Sequence, residues 1–522
     1  MLVKIHTAAL NGLEAMPVLV EVNTQLLQGQ QAEEQRFHMV GLPDNAVRES
    51  RLRVLSALQN SGFKLPGFMR YVVNFAPADI RKEGSGYDLP LALGMLAGNN
   101  MLPAESMQRI VFVGELGLDG SLRSVRGMLS IAIKARSMGF DALIVPQANA
   151  QEAAVVNRLK VYGAATLAQV VAFLNGHTDA LQPTDYDTRA EFAAAQRIVP
   201  YDFAEVKGQI GVKRAFEVAA AGGHNVLMVG SPGCGKSMMA KRLPSILPPL
   251  SLAESLETTQ IHSVAGLLAA DSSLITQRPF RSPHHNISDA ALIGGGTYCR
   301  PGEISMAHNG VLFLDELPEF SRTALEAMRQ PLEDRCITIS RAKYNVTLPC
   351  SFMLVGAMNP CPCGYYTHPT RPCTCTPGQR QQYMKKISGP LLDRFDIQIE
   401  VTPVPVDELS TAPAGESSAA IRQRVVAARE RQTERYSQHR GIHCNAQMTD
   451  RMLTELANLT PAATERLKMA MQMLDLSARA YGRIIKVART IADLEQADAV
   501  SADHIAEAVA YRSLDRRDWA EA

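Results

Sequence analysis

The sequence predicts a mixed α/β chain built from more than one domain. Residues 1–175 and 200–403 each alternate apolar strand-like runs with amphipathic helical ones, and a polar stretch with a proline separates them. Residues 404–522 open rich in Pro, Ser and Ala, then carry a helical pattern with little β-branched content. At 522 residues the chain exceeds what one hydrophobic core ordinarily organises. Its 53 basic and 52 acidic residues leave a net charge of +1, so any basic surface for nucleic acid must be local. No run approaches the roughly 18 apolar residues of a membrane helix, and the segment Met1 to His6 reads as the start of a strand rather than a signal peptide. The protein is therefore expected in the cytoplasm, without a membrane partner, and its nine cysteines as thiols or metal ligands.

Taken in order, Val18 to Val22, Tyr71 to Phe75 and Ala142 to Pro146 read as strands, and residues 44–60 and 129–138 as amphipathic helices. Residues 176–199 have no apolar period and read as a linker. In the second region the strand-like run Val226 to Val229 leads directly into Gly230-Ser231-Pro232-Gly233-Cys234-Gly235-Lys236-Ser237, with a helix-like run behind it. Glycines at this spacing let backbone N–H groups close around phosphate oxygens, and the helix behind them points the positive end of its dipole at the same anion. In such a loop Lys236 reaches the β and γ phosphates of ATP and the Ser237 hydroxyl holds Mg²⁺.

An acidic counterpart is expected downstream, and Val311-Leu312-Phe313-Leu314-Asp315-Glu316 supplies it: a continuous apolar run, as in a buried parallel strand, delivering two carboxylates at its end. Asp315 is positioned to hold Mg²⁺, and Glu316 to orient the attacking water. A further strand over residues 352–357 leads to Asn359, within reach of the γ-phosphate or the water. Two arginines are candidates for stabilising transferred charge. Arg394, in Leu391-Leu392-Asp393-Arg394-Phe395-Asp396, is either a solvated ion pair or a cation supplied to a neighbouring subunit; Arg479, in the helical region, can be drawn folding back onto the phosphates of its own chain.

Three insertions stand out. Residues 335–350 read as a hairpin with a basic tip, where Arg341 and Lys343 suit phosphates and Tyr344 suits stacking on a base, although an ordinary surface hairpin has the same pattern. Residues 278–300 hold His284 and His285, read as part of a polar insertion because no nearby Cys or Asp set completes a metal site. Cys361, Cys363, Cys373 and Cys375, inside residues 361–375, form a compact set for tetrahedral Zn²⁺, with free thiols or an iron–sulfur cluster as alternatives.

The order of the phosphate loop, LFLDE, AMNP, LLDRFD and SARA…KVARTIADL resembles the magnesium-chelatase-like AAA+ ATPases, and within them the ComM/YifB family. Residues 76–90 and 113–120 resemble the proteolytic domain of Lon, but Gly86 and Leu129 stand where the Ser-Lys dyad belongs, so the domain is read as non-proteolytic; Ser85 and Lys134 lie out of register. The resemblance implies a Lon-like α+β N-terminal domain, an AAA+ P-loop α/β core and a C-terminal helical lid. It also implies an ATP- and Mg²⁺-dependent hexameric helicase that promotes branch migration of DNA during natural transformation or recombination. Single-stranded and branched DNA, further copies of the chain and recombination proteins are the implied partners. Under the resemblance Asn359 is the sensor 1 residue, Arg394 a finger acting on the next subunit and Arg479 the sensor 2 arginine, while Gln209 lies near adenine. A porphyrin-metallating motor subunit and a protein-remodelling AAA+ ATPase are the rival implications.

Overall fold

The computed structural model describes every residue except 28–36, 196–200, 269–272, 297–298, 342–343, 367, 406–414, 440 and 513–522. The chain divides into two compact units, one of Met1–Ala194 with Leu252–Ile275, the other of Ala195–Ser251 with Thr276–Ala522.

The first unit is built on a seven-stranded mixed sheet. Its strands are β1 (Leu2–Asn11), β2 (Glu14–Leu26), β3 (Phe37–Val40), β4 (Met69–Ala76), β5 (Ile110–Phe112), β6 (Ala142–Pro146) and β7 (Lys160–Ala164), in the order β3-β4-β2-β1-β5-β6-β7. The three runs predicted as strands are thus β2, β4 and β6. On β2 alternate residues Val18, Val20 and Val22 are buried, the period of a half-covered strand. Helix α1 (Asn45–Asn60) starts where Asp44 accepts a hydrogen bond from the Val47 amide, an N-cap that satisfies one otherwise orphaned donor. Helix α2 (Asp88–Gly98) is buried on every side. It lies close on β2 because Gly94 has no side chain: a Cβ there would come 2.4 Å from Val22. Each of its buried leucines removes apolar surface worth about 1.5–3 kcal/mol from water. Arg53 donates to both Asp88 oxygens at 2.8 and 3.0 Å and so ties α1 to α2; burial nonetheless pushes the Asp88 carboxyl up to about 6.

The helix Leu252–Ala265 follows the phosphate loop in sequence yet belongs to this first unit. Its Gln260 donates to the Leu13 carbonyl at 2.8 Å, and Leu256 and Leu274 pack with α3 (Met128–Ser137) and its neighbours. Residues Thr188–Ala195, within the stretch read as a linker, are helical. Leu129 is fully buried in the core, and the Ser85 hydroxyl donates to Glu115 rather than meeting a lysine.

In the second unit five parallel strands form one sheet: β8 (Val226–Gly230), β9 (Phe280–Arg281), β10 (Val311–Leu314), β13 (Met353–Met358) and β14 (Ile397–Val401), in the order β9-β10-β13-β8-β14. Between β10 and β13 the chain makes a separate antiparallel hairpin of β11 (Cys336–Arg341) and β12 (Tyr344–Pro349), paired from Cys336 with Pro349 to Arg341 with Tyr344. Strands β8, β10 and β13 are buried along their whole length, which is why they read as continuous apolar runs. Helix α4 (Ile210–Gly222) precedes β8 and α5 (Lys236–Ile246) follows the phosphate loop. The C-terminal part is helical: α6 (Ser418–Arg435), α7 (Asp450–Leu456), α8 (Pro461–Met473), α9 (Ala478–Leu494) and α10 (Ala502–Ala510). Ile484, Ile485, Val487, Ile491 and Ala492 of α9 share one core with the sheet.

Candidate functional site

Strands β8, β10 and β13 run in the same direction, so their carboxyl ends bring Gly230, Asp315 and Asn359 to one edge of the sheet. At that edge Gly233 (φ +80°) and Gly235 (φ +95°) take the left-handed conformation that turns the loop into α5. The Lys236 ammonium donates to the carbonyls of Gly230 (2.6 Å) and Ser231 (3.0 Å) and to the Asn359 side-chain oxygen (3.2 Å). Ser237 donates to an Asp315 oxygen at 2.6 Å. Asp315 also accepts the Glu316 amide at 3.0 Å. Of the sequence-predicted residues, Lys236 therefore meets Asn359 and its neighbour Ser237 meets Asp315.

The donor set fits a nucleotide with its cation. The Ser231 hydroxyl is buried in the loop without a partner among the described residues, Cys234 is buried and Pro232 is exposed. Ser237 and Asp315 together offer the hydroxyl and carboxylate oxygens that Mg²⁺ takes. Beside the loop, a cavity of about 590 Å³ lies between the start of α4 and the end of β14, lined by Gln209, Ile210, Gly211, Thr402 and Tyr511. Gln209 donates to the Thr402 carbonyl at 2.6 Å and Ile210 is 82% exposed, an apolar face of the kind a purine stacks on.

Glu316 holds a left-handed backbone (φ +53°), a conformation that costs a branched or long side chain on the order of 1–3 kcal/mol and persists where the surroundings enforce it. Its carboxylate pairs with the His285 Nδ1 at 3.1 Å. Sequence reasoning placed the two histidines in a polar insertion and missed this contact; the pairing of a residue just past β9 with one just past β10 follows only from those strands being neighbours.

Arg394 and Arg479 lie elsewhere. The Arg394 carbonyl accepts from Asn225, the residue before β8, so Arg394 sits at the amino ends of β8 and β14. The five residues of β8 separate it from the phosphate loop by about 16 Å at 3.3 Å per residue. Arg479 donates to Asp393 at 2.9 Å, at that same far end, and is not folded onto its own phosphate loop. Around Arg394 stand Arg479, Arg483 and Arg329, with Glu333 as its ion-pair partner; burial foremost, and then the neighbouring guanidiniums, lower its pKa. Arg483 donates to Asp396 at 2.5 Å, and the other Asp396 oxygen meets His224 at 3.1 Å. Burial works against the ionised Asp396, but Arg483 and His224 more than offset it and hold the carboxyl well below its usual range. Arg483 lies one helical turn from Arg479, and that i, i+4 spacing is a signal that sequence reading had available. Arg329 and Glu333 are also four residues apart on one helix, but that spacing does not tie them to Arg394.

Of the predicted DNA residues, Lys343 and the side chains of Arg341 and Tyr344 lie outside the described residues. The four cysteines are drawn together, with every pair of sulfurs within 4.8 Å. No helix among the described residues is long and apolar enough to cross a membrane.

The chain matches a family described as magnesium chelatase, subunit ChlI, over residues 202–409; related family descriptions of the same subunit cover residues 21–149 and 415–512. It is 43% identical over 516 residues to the uncharacterized protein YifB of Salmonella typhimurium, covering 98% of this chain and 97% of that one. It is 42% identical over 517 residues to the competence protein ComM of Haemophilus influenzae, again 98% and 97%. A more distant similarity, 27% over 192 residues, or 31% of this chain and 33% of the relative, connects it to Lon protease 2 of Bacillus subtilis.

Proposed function

The chain belongs to the ComM/YifB family of magnesium-chelatase-like AAA+ proteins, and from that premise we propose that it is a Mg²⁺-dependent ATPase that assembles as a ring, moves along DNA and drives branch migration. The observation that carries the reading is the separation of the two halves of the catalytic machinery. Lys236, Ser237, Asp315 and Asn359 meet at the carboxyl edge of the sheet, while Arg394 and Arg479 cluster at the amino edge. One chain cannot bring both halves to one phosphate. In a closed ring of head-to-tail copies, the amino-edge arginines of one copy face the phosphate loop of the next. A hexamer is the ring we propose.

In that site Gly230, Gly233 and Gly235 let the backbone approach the phosphates, Lys236 binds the β and γ groups, and Ser237 and Asp315 hold Mg²⁺, which when bound neutralises phosphate charge. Glu316 orients the attacking water once its pairing with His285 is released, Asn359 senses the γ-phosphate, and Gln209 borders the base. Four arginines gather here, each ion-paired with an acid: Arg394 with Glu333, Arg479 with Asp393, Arg483 with Asp396 and Arg329 with Glu326; in the ring, Arg394 exchanges its carboxylate for the phosphates of the next copy. The first unit serves as a non-proteolytic scaffold, and the site of action is the cytoplasm.

The link to DNA rests on the relative named competence protein ComM and on the hairpin ahead of β13. Single-stranded and branched DNA are the proposed substrates, with recombination proteins as partners. ATP hydrolysis measured alone, with single-stranded DNA and with forked DNA should rise with DNA. Stimulation by an unfolded protein instead would favour a protein-remodelling ATPase. The family description favours a second reading, a motor subunit that drives Mg²⁺ insertion into a porphyrin; under it ATPase activity responds to the porphyrin-binding partner and not to DNA. If the hairpin grips phosphates, the double variant Arg341→Ala, Lys343→Ala should weaken single-strand binding and reduce the salt slope by about one to two phosphate contacts. An unchanged slope in a binding titration across salt concentrations removes the hairpin from the DNA path.

A further inference from the structure

The cysteine loop begins two residues after Asn359. Its four thiols are free. The Cys361 sulfur lies 3.3 Å from that of Cys363 and 3.6 Å from that of Cys373, and Cys363 and Cys373 are 3.5 Å apart. A tetrahedral zinc with Zn–S bonds of about 2.3 Å sets its sulfurs about 3.8 Å apart, and these separations, with an outer limit of 4.8 Å, bracket that value. A cluster of several metal ions spreads its thiolates over different ions and does not draw all four sulfurs so close.

The backbone around the sulfurs is arranged for thiolates. The Tyr366 amide donates to the Cys361 sulfur (3.4 Å), the Cys363 amide to that of Cys375 (3.3 Å) and the Cys375 amide to that of Cys373 (3.4 Å). Such second-layer donors stabilise negative sulfur and orient it on a metal. Gly364 turns the first knuckle in the left-handed region (φ +83°), and a Cβ there would lie 2.6 Å from Cδ of Pro232, in the phosphate loop. The cysteine loop and the phosphate loop are therefore in direct contact, and Cys361 is fully buried at the junction.

We propose that Cys361, Cys363, Cys373 and Cys375 bind one zinc ion as a structural site, and that the zinc-bound loop braces the phosphate loop through Gly364 and Pro232, so that metal occupancy sets nucleotide affinity. The zinc claim stands on the sulfur geometry alone; the coupling rests on the nucleotide reading of the phosphate loop.

Elemental analysis of the full chain, purified without chelator, should find one zinc per chain, and the double variant Cys363→Ser, Cys375→Ser should lose it. Stoichiometric iron in its place, or no metal, overturns the site. Binding of a fluorescent ATP analogue, measured without DNA, should weaken by about tenfold or more after zinc is stripped, the scale on which a loosened loop loses preorganisation, and should recover when zinc is returned. Gly364→Ala keeps all four ligands: it should retain its zinc and still bind nucleotide weakly, which separates bracing from general unfolding. Unchanged nucleotide affinity in both the stripped protein and Gly364→Ala refutes the coupling. Lys236→Ala distinguishes the two layers, since nucleotide affinity insensitive to that change as well means the phosphate-loop reading itself has failed.

Discussion

Arg394→Ala should lower ATP turnover about 10³-fold or more, the loss that follows removal of a charge-stabilising arginine, while leaving nucleotide affinity close to that of the unaltered protein. The geometry dictates this division. Arg394 is at the amino end of the sheet with Asn225, whereas the residues that would bind nucleotide, Lys236 and Ser237 among them, are at the carboxyl end. A residue so far from its own phosphate loop has no route to ground-state binding in its own chain. If it acts across an interface, then Lys236→Ala and Arg394→Ala, each inactive alone, should regain part of the activity when mixed. Some interfaces in the mixed rings would then pair an intact loop with an intact arginine. Turnover should also fall on dilution, as rings come apart. Full hydrolysis by Arg394→Ala, or no recovery on mixing two variants that co-assemble, would overturn the intersubunit site.

Much of the phosphate-loop edge is legible because its parts are contiguous in sequence or follow one rule. The loop at 230–237 is a local pattern, and an apolar run ending in Asp315 reads as a buried parallel strand whose carboxyl end faces ligand. From these the meeting of Ser237 with Asp315, 78 residues apart, could be anticipated. The amino edge was harder. The sequence allows Arg479 to fold onto its own phosphates, but α9 carries it to Asp393, 86 residues earlier in the chain. Nothing local in SARA encodes which end of the sheet a helix packs against. The segment Leu252–Ile275 shows a similar limit. In its helix, Leu252–Ala265, the buried positions Ser255, Thr258, Thr259, His262 and Ser263 are polar, with Ile261 the aliphatic one among them. A face so poor in hydrophobic signal does not announce which core it covers, and only the contact with the first unit reveals it. His285 was missed for a related reason: its partner Glu316 is brought near by strand order, not by spacing.

Asp396→Ala should destabilise the second unit by about 3–5 kcal/mol, because it strands the buried His224 and the half-buried Arg483 together rather than removing one contact. Asp396 is 6% exposed and receives Arg483 on one oxygen and His224 on the other. His224 is fully buried, and its second ring nitrogen meets the Thr490 hydroxyl of α9 at 2.8 Å. The carboxylate thus joins the strand end that carries Arg394 to the helix that carries Arg479. The folded pKa is depressed below that of the unfolded chain, near 3.9 for Asp, so the stabilisation is present above that pH and is lost as the pH falls through the folded value. Chemical denaturation from neutral to acid pH should show the gap between the unaltered protein and Asp396→Asn narrowing only in the acid limb. Asp396→Asn keeps the shape and one acceptor, so it should fold. Because Arg394 is two residues away, this variant should lose turnover more than nucleotide affinity. A variant that lost affinity and kept turnover would separate Asp396 from the arginine edge and reduce it to a contributor to packing.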